Sequence, residues 1–208
     1  MNQYNVVVQS EESTVLAEYI SQGKRAESYQ SEADLEREFI KLLGELGYEY
    51  LPVHTEAELI INLRKKLEEL NDYQFSESEW EQFFGNCIAG KNDGIVEKTR
   101  RIQEDYIQVL HRDNGATKNI NLIDKKNIHN NKLQVINQYE NNDGKYDNRY
   151  DVTILVNGLP LVHIELKRRG VPIREAFNQI DRYQRDSFWA ASGLYEYVQI
   201  FVISNGTN

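Results

Sequence analysis

The sequence predicts an α/β fold: a mixed central β-sheet flanked by helices, with a helical insertion. Three observations carry this. Residues 149–156 and 161–167 read as a β-hairpin whose Val152, Ile154, Val156, Val162, Ile164 and Leu166 form one apolar face. Residues 31–47 read as an amphipathic helix, and a second helical pattern begins just after Gly170. Another β-rich run at 197–203 follows that second helix, so a parallel crossover is open to the chain.

From the N-terminus, residues 1–27 are polar and are expected to be loosely ordered or to form a docking arm. Ser31 reads as the N-cap of the first helix, with Asp34 at the capping-box position in place of Glu. Leu35, Phe39, Leu42, Leu43 and Leu46 recur at helical spacing and define its expected buried stripe. At about 100° per residue, Glu36 projects within that stripe, whereas Glu38 and Glu45 lie outside it. A carboxylate on a buried face needs a partner: either an Arg or Lys satisfies Glu36, or Glu36 joins a cation site.

Thr55 with Glu58 and Ser76 with Glu79 read as capping boxes, which places helices at about 56–71 and 77–89. Their Leu59, Leu63, Leu67, Trp80, Phe83 and Phe84 read as packing residues of an insertion spanning about 55–100. Asn92, Asp93 and Gly94 form a break, residues 105–110, 119–123 and 133–139 are strand candidates, and residues 140–145 read as a turn.

The hairpin carries the chemistry. Asp151, Thr153, His163, Glu165 and Lys167 alternate with its apolar residues and so fall on the opposite face. Asp151 and Glu165 share a space only if the connection preserves parity. An odd-length loop from Val156 to Gly158, with Gly158 left-handed in a G1 bulge, would do this. Glu165 and Lys167 then sit about 6.6 Å apart along one strand face. Two close carboxylates repel, so one takes up a proton or a cation settles between them. A hard ion such as Mg²⁺ suits such ligands, and an adjacent lysine can orient or deprotonate an attacking water or offset charge on a phosphoryl transition state. A solvated strand face with an ordinary Glu165–Lys167 or Asp151–Lys167 ion pair fits the same pattern.

After Gly170, Pro172 suits a first helical turn, and Ile173, Ala176, Phe177 and Ile180 form a stripe with Gln179 and Tyr183 one turn apart on its flank. Those two can meet a bound phosphate or base, or be a helix-surface pair with Tyr183 half in the core.

Taken together, Asp151, Glu165-Leu166-Lys167 and Gln179 with Tyr183 resemble the D…ExK plus QxxxY pattern of the RecB-like branch of the PD-(D/E)xK nucleases. The run from Arg149 to Gly170 is similar to the nuclease domain of the R (HsdR) subunit of type I restriction enzymes, as are 28–38, 122–127, 173–180 and 201–207. Tyr150 stands where the proline that names the motif would be.

The resemblance implies a restriction-endonuclease-like core over 28–208. Asp151 and Glu165 would ligate Mg²⁺ and Lys167 would serve the nucleophilic water. Gln179, Tyr183 and Arg182 would support DNA contact, and Glu36 would be the helix-borne acidic metal residue. It further implies double-stranded DNA as substrate and methyltransferase and specificity subunits as partners. ATP would be needed only by motor domains, which this chain lacks. A noncatalytic nuclease-like DNA-binding or assembly module is the alternative.

The chain holds 208 residues with 40% hydrophobic content and three prolines, as expected of one folded core with an insertion. No run is apolar enough to span a bilayer and the start lacks a signal-peptide pattern, so a cytoplasmic location is expected. Cys87 is the single cysteine, and His54, His111, His129 and His163 are scattered, which excludes an internal disulfide framework and a multi-cysteine zinc site. His163 points toward the acidic face, where a hydrogen-bonded strand histidine is the plain expectation.

The net charge of −9 argues against nonspecific nucleic-acid binding over the whole surface. Locally, however, Lys167, Arg168, Arg169, Arg174, Arg182 and Arg185 outnumber Glu165, Glu175 and Asp181. There is no GxxxxGK[ST] phosphate loop and no GxGxxG. The chain stops at Asn208 just after a predicted strand, an ending that reads as a natural or artificial truncation.

Overall fold

A computed structural model describes residues 3–9, 15–20, 31–141, 148–168 and 193–205. Helix α1 (Glu32–Glu45) leads into β3 (Glu49–Tyr50), and the helices α2 (Glu56–Asn71), α3 (Glu77–Phe83) and α4 (Ile95–Gln103) follow. A ribbon of β4 (Ile107–His111) and β5 (Thr117–Asn121) precedes β6 (Leu133–Asn141), β7 (Asn148–Val156), β8 (Leu159–Leu166) and β9 (Ile200–Ser204). The central sheet has the order β3-β6-β7-β8-β9. Its two inner pairings, β6–β7 and β7–β8, are antiparallel, and the outer ones, β3–β6 and β8–β9, are parallel. Within the expected N-terminal arm, β1 (Gln3–Gln9) and β2 (Val15–Ile20) pair as an antiparallel hairpin.

The helix starts follow local chemistry. Ser31 accepts from Asp34 N at 3.1 Å, and both predicted capping boxes, Thr55 with Glu58 and Ser76 with Glu79, are formed. The helix expected over 77–89 changes character partway: α3 ends at Phe83 and continues as a π-helical turn over Phe84–Ile88.

The sheet is buried on both sides. One core contains Leu43, Val135, Val152, Ile164 and Leu166, with Leu35, Phe39 and Ile40 of α1 packed on it. The other is larger and joins Leu59, Leu63 and Leu67 of α2 and Trp80 and Phe83 of α3 to Ile136, Tyr139, Tyr150, Leu155 and Leu159 of the sheet. The hairpin face expected to be polar is therefore a covered one: Thr153, His163 and Glu165 are all buried. Asp151 and Lys167 at the end of that face keep partial exposure, and the expected Glu165–Lys167 ion pair is formed at 2.8 Å.

The α1 stripe is rotated from its expected position. Leu42 and Leu46 are 51% and 67% exposed, and the buried side runs through Leu35, Phe39, Ile40 and Leu43. Periodicity cannot tell which edge of a leucine-rich stripe the sheet covers. The rotation brings Glu36 nearer the centre of the buried side.

The parity of the hairpin is as expected, but its connection is not. Val156 pairs with Leu159 across a two-residue loop, Asn157 and Gly158, both left-handed at φ 51° and 84°. The compensating step lies inside the ladder: Leu155 pairs with Pro160 and Ile154 with Val162, leaving Leu161 as the bulged residue. Its freed carbonyl accepts from Gln199 N at 2.9 Å. Asn157 adopts the left-handed conformation readily and is anchored there, its amide donating to Leu122 O and Asn131 Oδ1 and accepting from Lys132 N.

A second irregularity sits in β6 and β7. Asn137 pairs with Val152 on the α1 side, yet Tyr139 and Tyr150, two residues on, stack within the opposite core at 6.0 Å. The reversal falls at Gln138, whose φ is 52°, between the Asn137–Val152 and Tyr139–Tyr150 pairs that also flank Asp151. A left-handed non-glycine residue inside a strand is rare.

Candidate active site

Asp151 of β7, Glu165 of β8, Lys167 just beyond β8 and Glu36 of α1 meet at the end of the β7–β8 ladder. Asp151 ends the ladder with its side chain: Oδ2 accepts from Leu166 N at 2.9 Å. Glu165 has no solvent exposure, and its Oε1 accepts from Lys167 Nζ at 2.8 Å. Its Oε2 receives no hydrogen bond among the described residues, with His163 Nε2 at 3.6 Å. His163 is itself buried, packed against Tyr150 and Phe201. From α1, Glu36 accepts from Asn137 Nδ2 at 2.6 Å and from Gln138 Nε2.

The electrostatics follow from this crowding. Burial and then the Glu165 charge push the Asp151 carboxyl up to about 7; the Leu166 N–H and Lys167 pull it down, and Glu36 adds a further upward push. Burial pulls the Lys167 ammonium down, but its bond to Glu165 and the charges of Glu165, Asp151 and Glu32 outweigh that, leaving it raised. At neutral pH Lys167 is therefore a held cation. Such a group orients and stabilises anions rather than removing protons.

Asp151, Glu165, Lys167 and Glu36 are thus brought together. Among the described residues Glu36 is met not by an Arg or Lys but by two side-chain amides, and Asn137 and Gln138 carry no signal in the sequence because their placement depends on strand register. Gln179, Arg182 and Tyr183, like Arg169, Arg174 and Arg185, lie outside the described residues.

Among the described residues no three His, Cys, Asp or Glu side chains are grouped to hold a metal ion by themselves. The donor chemistry nonetheless fits a hard cation that keeps several of its waters: two crowded carboxylates, one with a buried oxygen that receives no hydrogen bond from the described residues. No helix of the described residues is long and apolar enough to cross a membrane.

A family model described as Type I restriction enzyme R protein N terminus (HSDR_N) matches residues 29–208. The chain belongs to this family. As an R protein N-terminal region it is 52% identical over 204 residues to the Type I restriction enzyme EcoprrI endonuclease subunit of Escherichia coli, covering 97% of this chain and 64% of the relative. It is 41% identical over 183 residues to the SsaAORF53P endonuclease subunit of Staphylococcus saprophyticus, covering 86% of this chain and 19% of the relative. Identity to the HindI endonuclease subunit of Haemophilus influenzae is 29% over 199 residues, covering 85% and 18%. The chain therefore spans less than two thirds of the length of each of these R subunits.

Proposed function

We propose that this chain is the DNA-cleaving part of a type I restriction R subunit and hydrolyses phosphodiester bonds of double-stranded DNA with Mg²⁺. The observation that supports it most is the convergence of Asp151, Glu165 and Lys167 in one buried, electrostatically crowded site. Asp151 and Glu165 are the residues that would hold Mg²⁺, with Glu36 contributing charge from α1. A bound Mg²⁺ supplies charge neutralisation and an acidified water. Lys167, held as an ammonium by Glu165, orients the nucleophile and offsets negative charge on the phosphoryl group. Gln179, Tyr183 and Arg182 place the DNA. Site recognition belongs to specificity and methyltransferase subunits, and ATP-driven translocation to motor regions of a longer R subunit. The cytoplasm is the expected compartment.

The test is Mg²⁺ binding by calorimetry, with and without duplex DNA, for the parent and for Asp151→Ala combined with Glu165→Ala. Loss of binding in a folded double variant supports the site; retained binding removes these carboxylates from it. Lys167→Ala should keep Mg²⁺ binding while cleavage in the assembled restriction complex drops roughly a hundredfold or more. An unchanged cleavage rate takes the lysine out of the mechanism.

A further inference from the structure

We propose that Asn137 and Gln138 are positioning residues, a clamp of neutral amides that holds Glu36 toward Asp151 while leaving its negative charge uncompensated for a divalent cation. The inference rests on the metal-site reading above.

The geometry is specific. Asn137 Nδ2 donates to Glu36 Oε1 at 2.6 Å and Gln138 Nε2 donates to Oε2, so each carboxylate oxygen has its own donor. The orientation of the Asn137 amide is fixed from behind, because its Oδ1 accepts from Tyr50 OH at 2.9 Å. Among the described residues neither Lys nor Arg forms an ion pair with Glu36. That matters because a cation would fix the carboxylate and cancel its charge together, whereas an amide fixes it and leaves the charge in place.

The backbone is shaped to the same end. Successive strand residues point to opposite faces, so Asn137 and Gln138 cannot both reach one carboxylate from a regular strand. The left-handed φ of 52° at Gln138 removes that obstacle. A strained conformation beside a crowded carboxylate site, with both side chains on one acceptor, is built for placement rather than for sheet stability.

Gln138→Gly separates placement from folding. Glycine takes the left-handed region freely and lacks the amide, so relief of strain offsets the added freedom of the unfolded chain and the melting temperature should not fall. Mg²⁺ affinity, measured by calorimetry on the full chain with duplex DNA present, should weaken about tenfold. Gln138→Lys, which puts a cation on Glu36, should weaken it at least as much. Parent-like affinity in both variants overturns the proposal, as does a Gln138→Gly protein that loses affinity only along with its fold. Asp151→Asn in the same titration keeps the two readings apart. Binding abolished there but intact in Gln138→Gly removes the clamp alone. Binding retained in Asp151→Asn, or absent from the parent, removes the metal site and the clamp with it.

Discussion

Asp151→Asn should abolish DNA cleavage and yet give a metal-free protein that melts at a higher temperature than the parent above pH 7. In the folded chain the Asp151 carboxyl is raised from 3.8 to about 7, so folding favours its protonated form. The corresponding stability is complete below the unfolded value, near pH 4, and is lost as pH rises through about 7. Above that, the ionised carboxylate burdens the fold by about 4 kcal/mol at most, at roughly 1.4 kcal/mol per unit. Asparagine keeps an oxygen for Leu166 N and carries no charge. The stabilisation of the variant should therefore be small near pH 4 and grow to pH 8 in EDTA. Added Mg²⁺ should close the gap by stabilising only the parent. Melting curves as a function of pH decide this: parallel profiles for parent and variant in EDTA would show that Asp151 is not under electrostatic load.

Gly158→Ala is expected to cost about 3 kcal/mol of stability and, with it, cleavage. The position is left-handed at φ 84°, and a Cβ there would lie 2.6 Å from Leu63 Cα and 3.1 Å from Leu63 N. Those are backbone atoms of a helix whose Leu59, Leu63 and Leu67 are fully buried, so they have nowhere to retreat. Gly115→Ala is the control. Gly115 has nearly the same φ of 81° but no atom within 4 Å, so that variant meets only the left-handed strain of about 1 kcal/mol. Chemical denaturation of both separates strain from collision; equal losses would show that the turn is not wedged against α2. Because the turn and the Leu161 bulge together set which residues face Asp151, a displaced turn disturbs the site at the far end of the hairpin.

The features legible in the sequence were those fixed by short-range chemistry. Ser31, Thr55 and Ser76 announced helix starts because a cap and its partner lie within one turn. The juxtaposition of Asp151 and Glu165 was legible as a parity requirement. Its solution was not, since a G1 bulge at Gly158 and a two-residue turn with a bulge at Leu161 satisfy the same parity. Leu42 and Leu46 misled because hydrophobic spacing records a stripe and not the neighbour that covers it. Thr153, His163 and Glu165 share one polar face in the sequence pattern, but Tyr195 bonds Thr153 and Tyr150 packs on His163, neighbours that alternation along the hairpin does not reveal. Gln138 carries no mark at all: glutamine has no left-handed preference, and its bond to Glu36 and the burial of the following Tyr139 come from residues distant in sequence. The β1–β2 pairing was likewise unmarked in a polar stretch.

The reversal of faces at Gln138 gives Asp151 two sets of neighbours. Tyr139 and Tyr150 just beyond it belong to the aromatic core with Tyr195, while Asn137 and Val152 just before it belong to the α1 side. The carboxylate sits at a pivot between these two layers. Repacking in either layer would swing the same oxygen atoms, and a change in one can be undone by a change in the other. Second-site suppressors of a weakened cleavage variant should therefore arise on both sides of the sheet, coupled across it without any direct contact.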